Sequence, residues 1–386
     1  MDLAFGISRL VPAGGLERLA IRLAEIMIAR GHAIAFYTTA GMGTVPAGSK
    51  AIAIERRGWT NHGSLQAFAA DFTAAARGRH DLVVGFQKYP GLDVLFCADW
   101  CYAERSRSFL YRLLPRHRTM VAMERACFAP DSKTKLVLLA RSQADSYVAA
   151  HGTPRERIAV MPPTLDPRLR APAPPDAARR AALRARHGLA PDALVWMWVG
   201  LQPRVKGLDR VFAALASRPE VTLVICGVDA SHREAARLMR SAAGLADRVR
   251  IFGLTKIDML AELYAASDLL VHPARLEVTG MAILEAMAGG LPVVVTANCG
   301  NAVHVAAANG GVVVPAAFDQ AHFEAVLRDA NAQTRAQWSR NAYTYGARPD
   351  LYSGLERACD LFEIAGRRDE GAWAAAAAAS AGGHYA

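Results

Sequence analysis

One stretch, HPARLEVTGMAILEAMAGGLPVVVT at residues 272–296, restricts the fold more than any other part of the chain. The apolar run before it, residues 268–271, predicts a short buried strand that ends at Pro273. Apolar residues then recur at helical spacing from Gly280 to Ala288, and the pair Gly289-Gly290 ends that predicted helix. Residues 291–296 are too apolar to have a solvent face, so we expect a strand inside a parallel sheet.

Two glutamates, Glu277 and Glu285, bracket this unit. Glu277 lies in the loop after a predicted strand, where open α/β sheets bind ligands, and Glu285 can accept hydrogen bonds from a diol such as ribose. Between them, the backbone of Gly280, Met281 and Ala282 begins a helix, whose N-terminus favours a phosphate. The pattern favours a nucleotide-sugar site; the alternative is a helix with one capping and one solvated glutamate.

The rest of the chain predicts two α/β domains, for which 386 residues are enough. A strand at 2–7, a helix at 16–30 and a strand at 33–38 form a βαβ unit. Its Gly14-Gly15 loop suits an acceptor or a phosphate close to the backbone, and it lacks the G-x-G-x-x-G pattern of a dinucleotide site. Seven prolines at 154–175 mark the domain boundary. Further strands are predicted at 81–86, 93–98, 135–140, 158–161, 194–199, 221–226, 249–252, 269–271 and 311–314.

The segment 102–136 carries eight basic residues against three acidic ones, in a chain of net charge +10. Aromatic and aliphatic residues alternate with the basic ones, which predicts an interfacial segment on an anionic membrane. The alternative is a pair of basic solvated helices that cover the sheet. No nucleic-acid motif accompanies the charge, so we expect no nucleic-acid partner. The arginines predicted to contact the membrane are Arg105, Arg107, Arg112, Arg116 and Arg118.

Neither a membrane span nor a secretory signal is expected. No apolar run reaches the length of a spanning helix, and the N-terminus lacks a basic region before its first strand. The six cysteines show no metal-ligand spacing, so we expect reduced, structural thiols. These features together predict a cytoplasmic protein.

Several motifs resemble those of the retaining GT-B glycosyltransferases of family 4. They are Gly14-Gly15, VGLQPRVKG at 199–207 and the pair Glu277 and Glu285. Five further segments are similar to segments of the lipopolysaccharide core glucosyltransferases. They are TNHG at 60–63, VVGFQKYPGLDVLFCADWCYAE at 83–104, FLYRL at 109–113, ERACF at 124–128 and NCGNA at 298–302. The resemblance implies an α/β fold with two Rossmann-like doubly wound domains facing a cleft and a C-terminal helix that crosses back to the first domain. The expected divisions are an acceptor- and membrane-facing domain at 1–165, a nucleotide-sugar domain at 166–345, a crossover helix at 346–365 and a disordered or loosely helical tail at 366–386.

The resemblance also implies roles for individual residues. Lys206 is expected on the donor diphosphate, Glu285 on the ribose and Glu277 on the transferred sugar. The relatives place arginine directly before the lysine, whereas Val205 stands here and the arginine is one residue earlier. They also have an acidic residue where this chain has Leu19. The remaining expected residues are Gly15, Arg168 and Arg204 at the donor, Asp99 at the reacting sugar or the acceptor, and Gly14, Asn61 and His62 at the acceptor.

The activity that the resemblance implies is transfer of glucose from UDP-glucose to an inner-core heptose of lipopolysaccharide, with retention of configuration, at the cytoplasmic face of the inner membrane. No metal or other cofactor is expected, because no D-x-D motif follows a strand and cationic side chains with a helix N-terminus can stabilise the leaving diphosphate. Alternative donors are UDP-galactose and UDP-N-acetylglucosamine, and a different glycolipid acceptor is also open. A nucleotide-sugar-binding protein of the membrane surface without turnover is the alternative from another class.

Overall fold

The computed structural model describes residues 1–10, 15–39, 43–104, 108–173, 176–229, 231–241 and 243–382. Gly14, Arg105 and Arg107, which the sequence predicts at the acceptor and the membrane, lie outside these residues. The chain divides into two units. The first unit comprises Met1–Pro162 and the C-terminal residues from Ser353, and the second unit comprises Pro163–Tyr352.

The first unit is built on a seven-stranded sheet in which every pair of neighbouring strands is parallel. Successive residues of a strand point to opposite faces, and both faces are buried here: Leu3 and Phe5 pack on one side of the sheet and Ala4 on the other. The sheet order is β3-β2-β1-β4-β5-β6-β7. The strands are β1 Asp2–Gly6, β2 Ala33–Thr39, β3 Lys50–Ile54, β4 Leu82–Gly85, β5 Val94–Cys97, β6 Lys135–Leu138 and β7 Ile158–Val160.

Helices cover both faces of this sheet, as a parallel sheet requires. Residues of the first and the penultimate helix of the chain share one core cluster with the sheet. The helices of the first unit are α1 Gly15–Ala29, α2 Asn61–Ala76, α3 Phe109–Leu113, α4 Pro115–Phe128, α5 Arg141–His151, α14 Gly354–Gly366 and α15 Glu370–Gly382.

The second unit repeats the plan with a six-stranded parallel sheet of order β10-β9-β8-β11-β12-β13. Trp196 and Trp198 pack on one face, and Val195 and Met197 pack on the other. The strands are β8 Leu194–Val199, β9 Val221–Cys226, β10 Val249–Ile251, β11 Leu269–His272, β12 Val293–Thr296 and β13 Gly311–Val314. The helices are α6 Ala177–Arg186, α7 Leu208–Ala216, α8 Arg233–Ser241, α9 Ile257–Ala266, α10 Met281–Ala288, α11 Ala302–Ala308, α12 Gln320–Asp329 and α13 Ala332–Tyr345.

The structure departs from the sequence-based expectations at two places. β3 was not predicted as a strand, yet it pairs with β2 over five residues. The crossover helix expected at 346–365 begins only at Gly354 as α14, because Pro349–Tyr352 forms a separate 3-10 helix before it. Asn61 and His62, expected at the acceptor, lie in the first turn of α2, a helix that the Thr60 side chain caps by accepting from the Gly63 N–H at 3.1 Å.

The C-terminal tail is also more ordered than predicted. In α15, Trp373 and Ala376 are buried in the core of the first unit, and the Ser380 hydroxyl accepts from the Val160 N–H at 3.0 Å. Small alanine side chains let this helix pack closely along the edge strand β7, which explains why an alanine run is ordered here. Within the described residues, no helix is both long and apolar enough to cross a membrane.

Candidate functional site

Glu277 is held at the carboxyl edge of the second sheet by its own backbone. Its N–H donates to the Asn298 carbonyl at 3.3 Å, and its carbonyl accepts from the Gly300 N–H at 3.2 Å. The loops after β11 and β12 are therefore joined at this residue, which also forms an isolated bridge with Cys299. The NCGNA motif thus fixes the backbone that carries the first glutamate of the pair.

Lys206 is brought to the same edge by the loop after β8. Gly207 follows it with a φ of 76°, and a Cβ at that position would lie 2.0 Å from the Pro273 carbonyl oxygen. Only glycine permits this close approach of the β8 loop to the end of β11. The Lys206 carbonyl also accepts from the Trp198 indole N–H at 3.1 Å, which anchors the loop on the sheet.

The Lys206 ammonium contacts the Glu277 carboxylate, and both side chains are mostly buried. The His272 Nε2 lies 3.4 Å from the same carboxylate. Burial acts to raise the pKa of Glu277, but the hydrogen bond with His272 and the charge of Lys206 outweigh it, so the pKa lies below its usual value. Glu277 is therefore an ionised carboxylate at neutral pH, next to a cation.

His272 is a site residue that the sequence did not predict. Its side chain is 2% exposed, and its Nδ1 has no hydrogen-bond partner among the residues that the structure describes. A histidine at the end of a wholly apolar strand and just before a ligand-binding loop was the available signal. Its contact with Glu277 makes it the residue that orients this carboxylate from the core side.

Arg275 was missed as well, although it lies inside the stretch 272–296. Its guanidinium forms two hydrogen bonds of 2.7 Å with Asp209 and a third of 2.6 Å with the Arg204 carbonyl. Its N–H donates to the Val205 carbonyl at 2.8 Å. These bonds tie the Lys206 loop to the loop after β11, whereas the Arg204 side chain itself is exposed.

The second glutamate of the pair lies in α10. The hydroxyl of Tyr264, a buried residue of α9, donates to the Glu285 carboxylate at 2.9 Å. Gly280 precedes the helix with a φ of 77°, and a Cβ there would lie 3.1 Å from the Glu277 Cγ. Because Gly280 has no side chain to cap the helix, the N–H groups of its first turn, including those of Met281 and Ala282, can bind an anion.

Arg168, also predicted at the donor, lies in a 3-10 helix at Pro167–Leu169. Its guanidinium donates to the Asp166 carboxylate at 2.7 and 3.1 Å and is largely exposed. The structure therefore pairs this arginine with its own helix cap, and its predicted contact with a donor stays a prediction.

In the first unit, the predicted residues gather at the carboxyl edge of the sheet. Gly15 begins α1 after β1, Asn61 and His62 begin α2 after β3, and Asp99 follows β5 with an exposed side chain. Because all these strands are parallel, the segments that follow them meet at one edge, which is where such sheets bind ligands. This edge is the candidate acceptor surface.

Comparisons with known proteins match this architecture. The family model described as Glycosyl transferases group 1 matches residues 179–345. The chain is 37% identical over 373 residues to the lipopolysaccharide glucosyltransferase WaaG of Escherichia coli, covering 94% of this chain and 98% of that protein. The crystal structure of WaaG superposes with a TM-score of 0.85 at 36% identity, over 93% of this chain and 99% of that one. HepE of Anabaena, crystallised with UDP-glucose, shares the fold at 19% identity with a TM-score of 0.70, over 93% of this chain and 98% of its own.

The two parallel sheets and these matches define a glycosyltransferase of the GT-B fold. Within that class, the chain belongs to the family of the lipopolysaccharide glucosyltransferase WaaG.

Proposed function

We propose that this protein transfers glucose from UDP-glucose to a heptose of the lipopolysaccharide inner core, with retention of configuration. The observation that carries the proposal is the contact between Lys206 and Glu277 beside the N-terminus of α10. It occurs in a chain that is 37% identical, over nearly its whole length, to a lipopolysaccharide glucosyltransferase.

The donor diphosphate is proposed to bind between the Lys206 ammonium and the first turn of α10. A preorganised cation and helix dipole stabilise the negative charge that develops on the leaving phosphate. Glu285 accepts hydrogen bonds from the ribose, with Tyr264 holding its other side, and Glu277 contacts the transferred glucose. Arg204 and Arg168 are proposed as further phosphate contacts from their exposed positions.

Transfer is proposed to occur on one face of the glucose, with the departing phosphate accepting the proton of the acceptor hydroxyl. The reaction is proposed to need no metal ion, since Lys206 and the α10 N-terminus supply the positive charge. The acceptor is proposed to contact the carboxyl edge of the first sheet, through Asp99, Asn61 and His62.

The protein is proposed to work in the cytoplasm, at the inner membrane, and to dock through α3 and the start of α4. Arg112, Arg116 and Arg118 are exposed there beside apolar side chains. Anionic headgroups attract such arginines, while exposed apolar side chains enter the interface. The exposed apolar side chains are those of Phe109, Leu110, Leu113 and Leu114, with exposed fractions of 72%, 74%, 56% and 48%.

The test is a transfer assay with heptose-terminated core lipopolysaccharide and a panel of nucleotide-sugars, with and without EDTA. We expect transfer from UDP-glucose in preference to UDP-galactose and UDP-N-acetylglucosamine, unchanged by EDTA. Preference for another donor would reassign the sugar, and donor binding without transfer to the core would contradict the proposed activity. Loss of activity in EDTA, restored by a divalent cation, would contradict the metal-independent mechanism.

A further inference from the structure

The loop at 99–103 follows β5 and begins with Asp99. Buried side chains form hydrogen bonds with its backbone. The Asp99 carbonyl accepts from the Gln143 amide at 2.8 Å and from the Tyr147 hydroxyl at 3.0 Å. Gln143 and Tyr147 belong to α5, and both are fully buried. The loop is therefore fixed at its start, at the residue that is proposed to contact the acceptor.

The far end of the loop is held by one carboxylate. Glu124 of α4 is 0% exposed and accepts from the Tyr102 N–H at 2.7 Å and the Ala103 N–H at 3.0 Å. The Lys88 ammonium contacts the same carboxylate and also donates to the Trp100 carbonyl at 3.0 Å. A buried charge pair of this kind needs further hydrogen bonds, which the two backbone N–H groups supply to Glu124 and the Trp100 carbonyl supplies to Lys88.

Glu124 also lies close to Cys101 and to the His151 Nε2, within the spacing that a metal ion would need. The carboxylate is already engaged by an ammonium and two backbone N–H groups, and a second cation beside Lys88 would be repelled. Burial also raises the pKa of the Cys101 thiol to about 12, so it is not a thiolate at neutral pH. The cluster is thus a closed network of hydrogen bonds.

We infer that Lys88 and Glu124 are positioning residues for transfer, which hold the 99–103 loop so that Asp99 is presented to the acceptor. The carbonyls of Asp99 and Trp100 and the N–H groups of Tyr102 and Ala103 are all bonded by buried side chains. Asp99 itself is left exposed. This inference rests on the proposed function, since it assigns a purpose to the same acceptor surface.

The test uses the full chain with Lys88→Met and Glu124→Gln, singly and together. Each single variant leaves one buried group without its partner, so both are expected to lower Tm. The double variant removes both charges and is the one to compare with wild type. Thr134→Val, which removes a buried hydrogen bond to the Leu92 carbonyl elsewhere in the first unit, is the matched control.

In the folded double variant we expect kcat to fall by between about tenfold and about 100-fold, with the KM for UDP-glucose unchanged, because small misplacements of reacting groups cost that much. The Thr134→Val control is expected to keep the wild-type kcat. A double variant that folds and has the kcat of wild type would overturn the inference.

Amide hydrogen exchange supplies a readout that does not depend on activity. The Tyr102 and Ala103 amides should exchange faster in Glu124→Gln than in wild type, while amides of β5 should not. If wild type lacks transfer activity, the proposed function fails, and this comparison still decides whether Glu124 holds the loop. Unchanged exchange at both amides would show that it does not.

Discussion

The Lys206 ammonium lies against the Glu277 carboxylate, although the two residues are 71 positions apart in the chain. Two glycines make this contact feasible, since Gly207 lets one loop approach the end of β11 and Gly280 leaves room beside the glutamate. A cation and an anion, both mostly buried, thus form a preorganised pair at the edge of a parallel sheet where such folds bind ligands.

Replacing Lys206 with alanine is expected to lower kcat more than it raises the KM for UDP-glucose, if the charge acts mainly on the departing diphosphate. Steady-state kinetics measures both values. Lys256→Ala, which removes an exposed lysine from the same unit, is the matched control and should leave both unchanged. A change confined to KM would make Lys206 a ground-state anchor and contradict its role in the leaving step.

Removing His272 should change the pH dependence of transfer. Its hydrogen bond is the largest of the contributions that lower the pKa of Glu277, so His272→Leu should raise that pKa. The carboxylate then protonates at a higher pH. In a plot of kcat against pH, the fall of kcat on the acidic side should therefore begin at a higher pH than in wild type. A fall that begins at the wild-type pH, in a folded variant, would show that His272 does not act through Glu277.

Glu285→Ala should weaken UDP binding by about 1.5–3 kcal/mol, the contribution of a hydrogen bond to a charged group. Tyr264→Phe should weaken it less, because the carboxylate keeps its place in α10 and loses only the bond at 2.9 Å that holds it. Calorimetry of UDP binding measures both variants. An unchanged Kd in Glu285→Ala would remove the ribose role, and a larger effect in Tyr264→Phe would transfer it to the tyrosine.

The basic segment should bind anionic vesicles and bind neutral ones weakly. Each of the five arginines, Arg105, Arg107, Arg112, Arg116 and Arg118, contributes about 1 kcal/mol near an anionic leaflet, so replacing all five with serine should abolish pelleting with such vesicles. Salt should weaken the wild-type binding. Replacing Phe109, Leu110 and Leu113 with serine is the matched variant, and it should reduce the part of the binding that persists in salt.

A quintuple variant that folds and pellets as well as wild type would contradict this membrane contact. If the arginine variant loses binding and the apolar variant keeps it, the membrane contact is electrostatic and the apolar side chains do not contribute.

The second unit should lose stability in mild acid through His304. Burial, and next the charge of Arg348, lower the pKa of this histidine to about 4. The unfolded chain binds the proton near pH 6.5, so stability present above that pH is lost as the pH falls towards 4, by a total of about 3 kcal/mol. Glutamine does not titrate, so the free energy of unfolding of the His304→Gln variant should fall less over this pH range than that of wild type. An equal fall in both proteins would show that His304 is not responsible.

The sequence predicts the parts of this fold that periodicity and apolar runs dictate. Leu194–Val199 and Val221–Cys226 begin and end where they were predicted, because a strand buried on both faces is apolar throughout. β3 was missed because its exposed lysine and alanines lack that pattern, and only its pairing with β2 makes it a strand. The order in α15 depends on contacts with β7 and the core, which local propensity does not contain.

The contrast between local sequence pattern and long-range contacts also holds for the site residues. The pair Glu277 and Glu285 was identifiable from motif spacing and Lys206 from the family resemblance, and the structure places Lys206 against Glu277. His272, Arg275 and Tyr264 were not, because they reach the site through distant partners: a carboxylate, the Lys206 loop and a neighbouring helix. Side chains that support a site through the fold leave little trace in the local sequence.

The chemical structure of the reaction product decides whether the protein performs the proposed glucosyl transfer. Wild-type protein, UDP-glucose and heptose-terminated core lipopolysaccharide are incubated together, and the purified product is analysed by NMR for its new sugar and its anomeric proton. We expect one added glucose on the heptose, with the α configuration that it had in the donor. A β-linked glucose, or a core that gains no sugar while UDP-glucose is intact, would contradict this expectation.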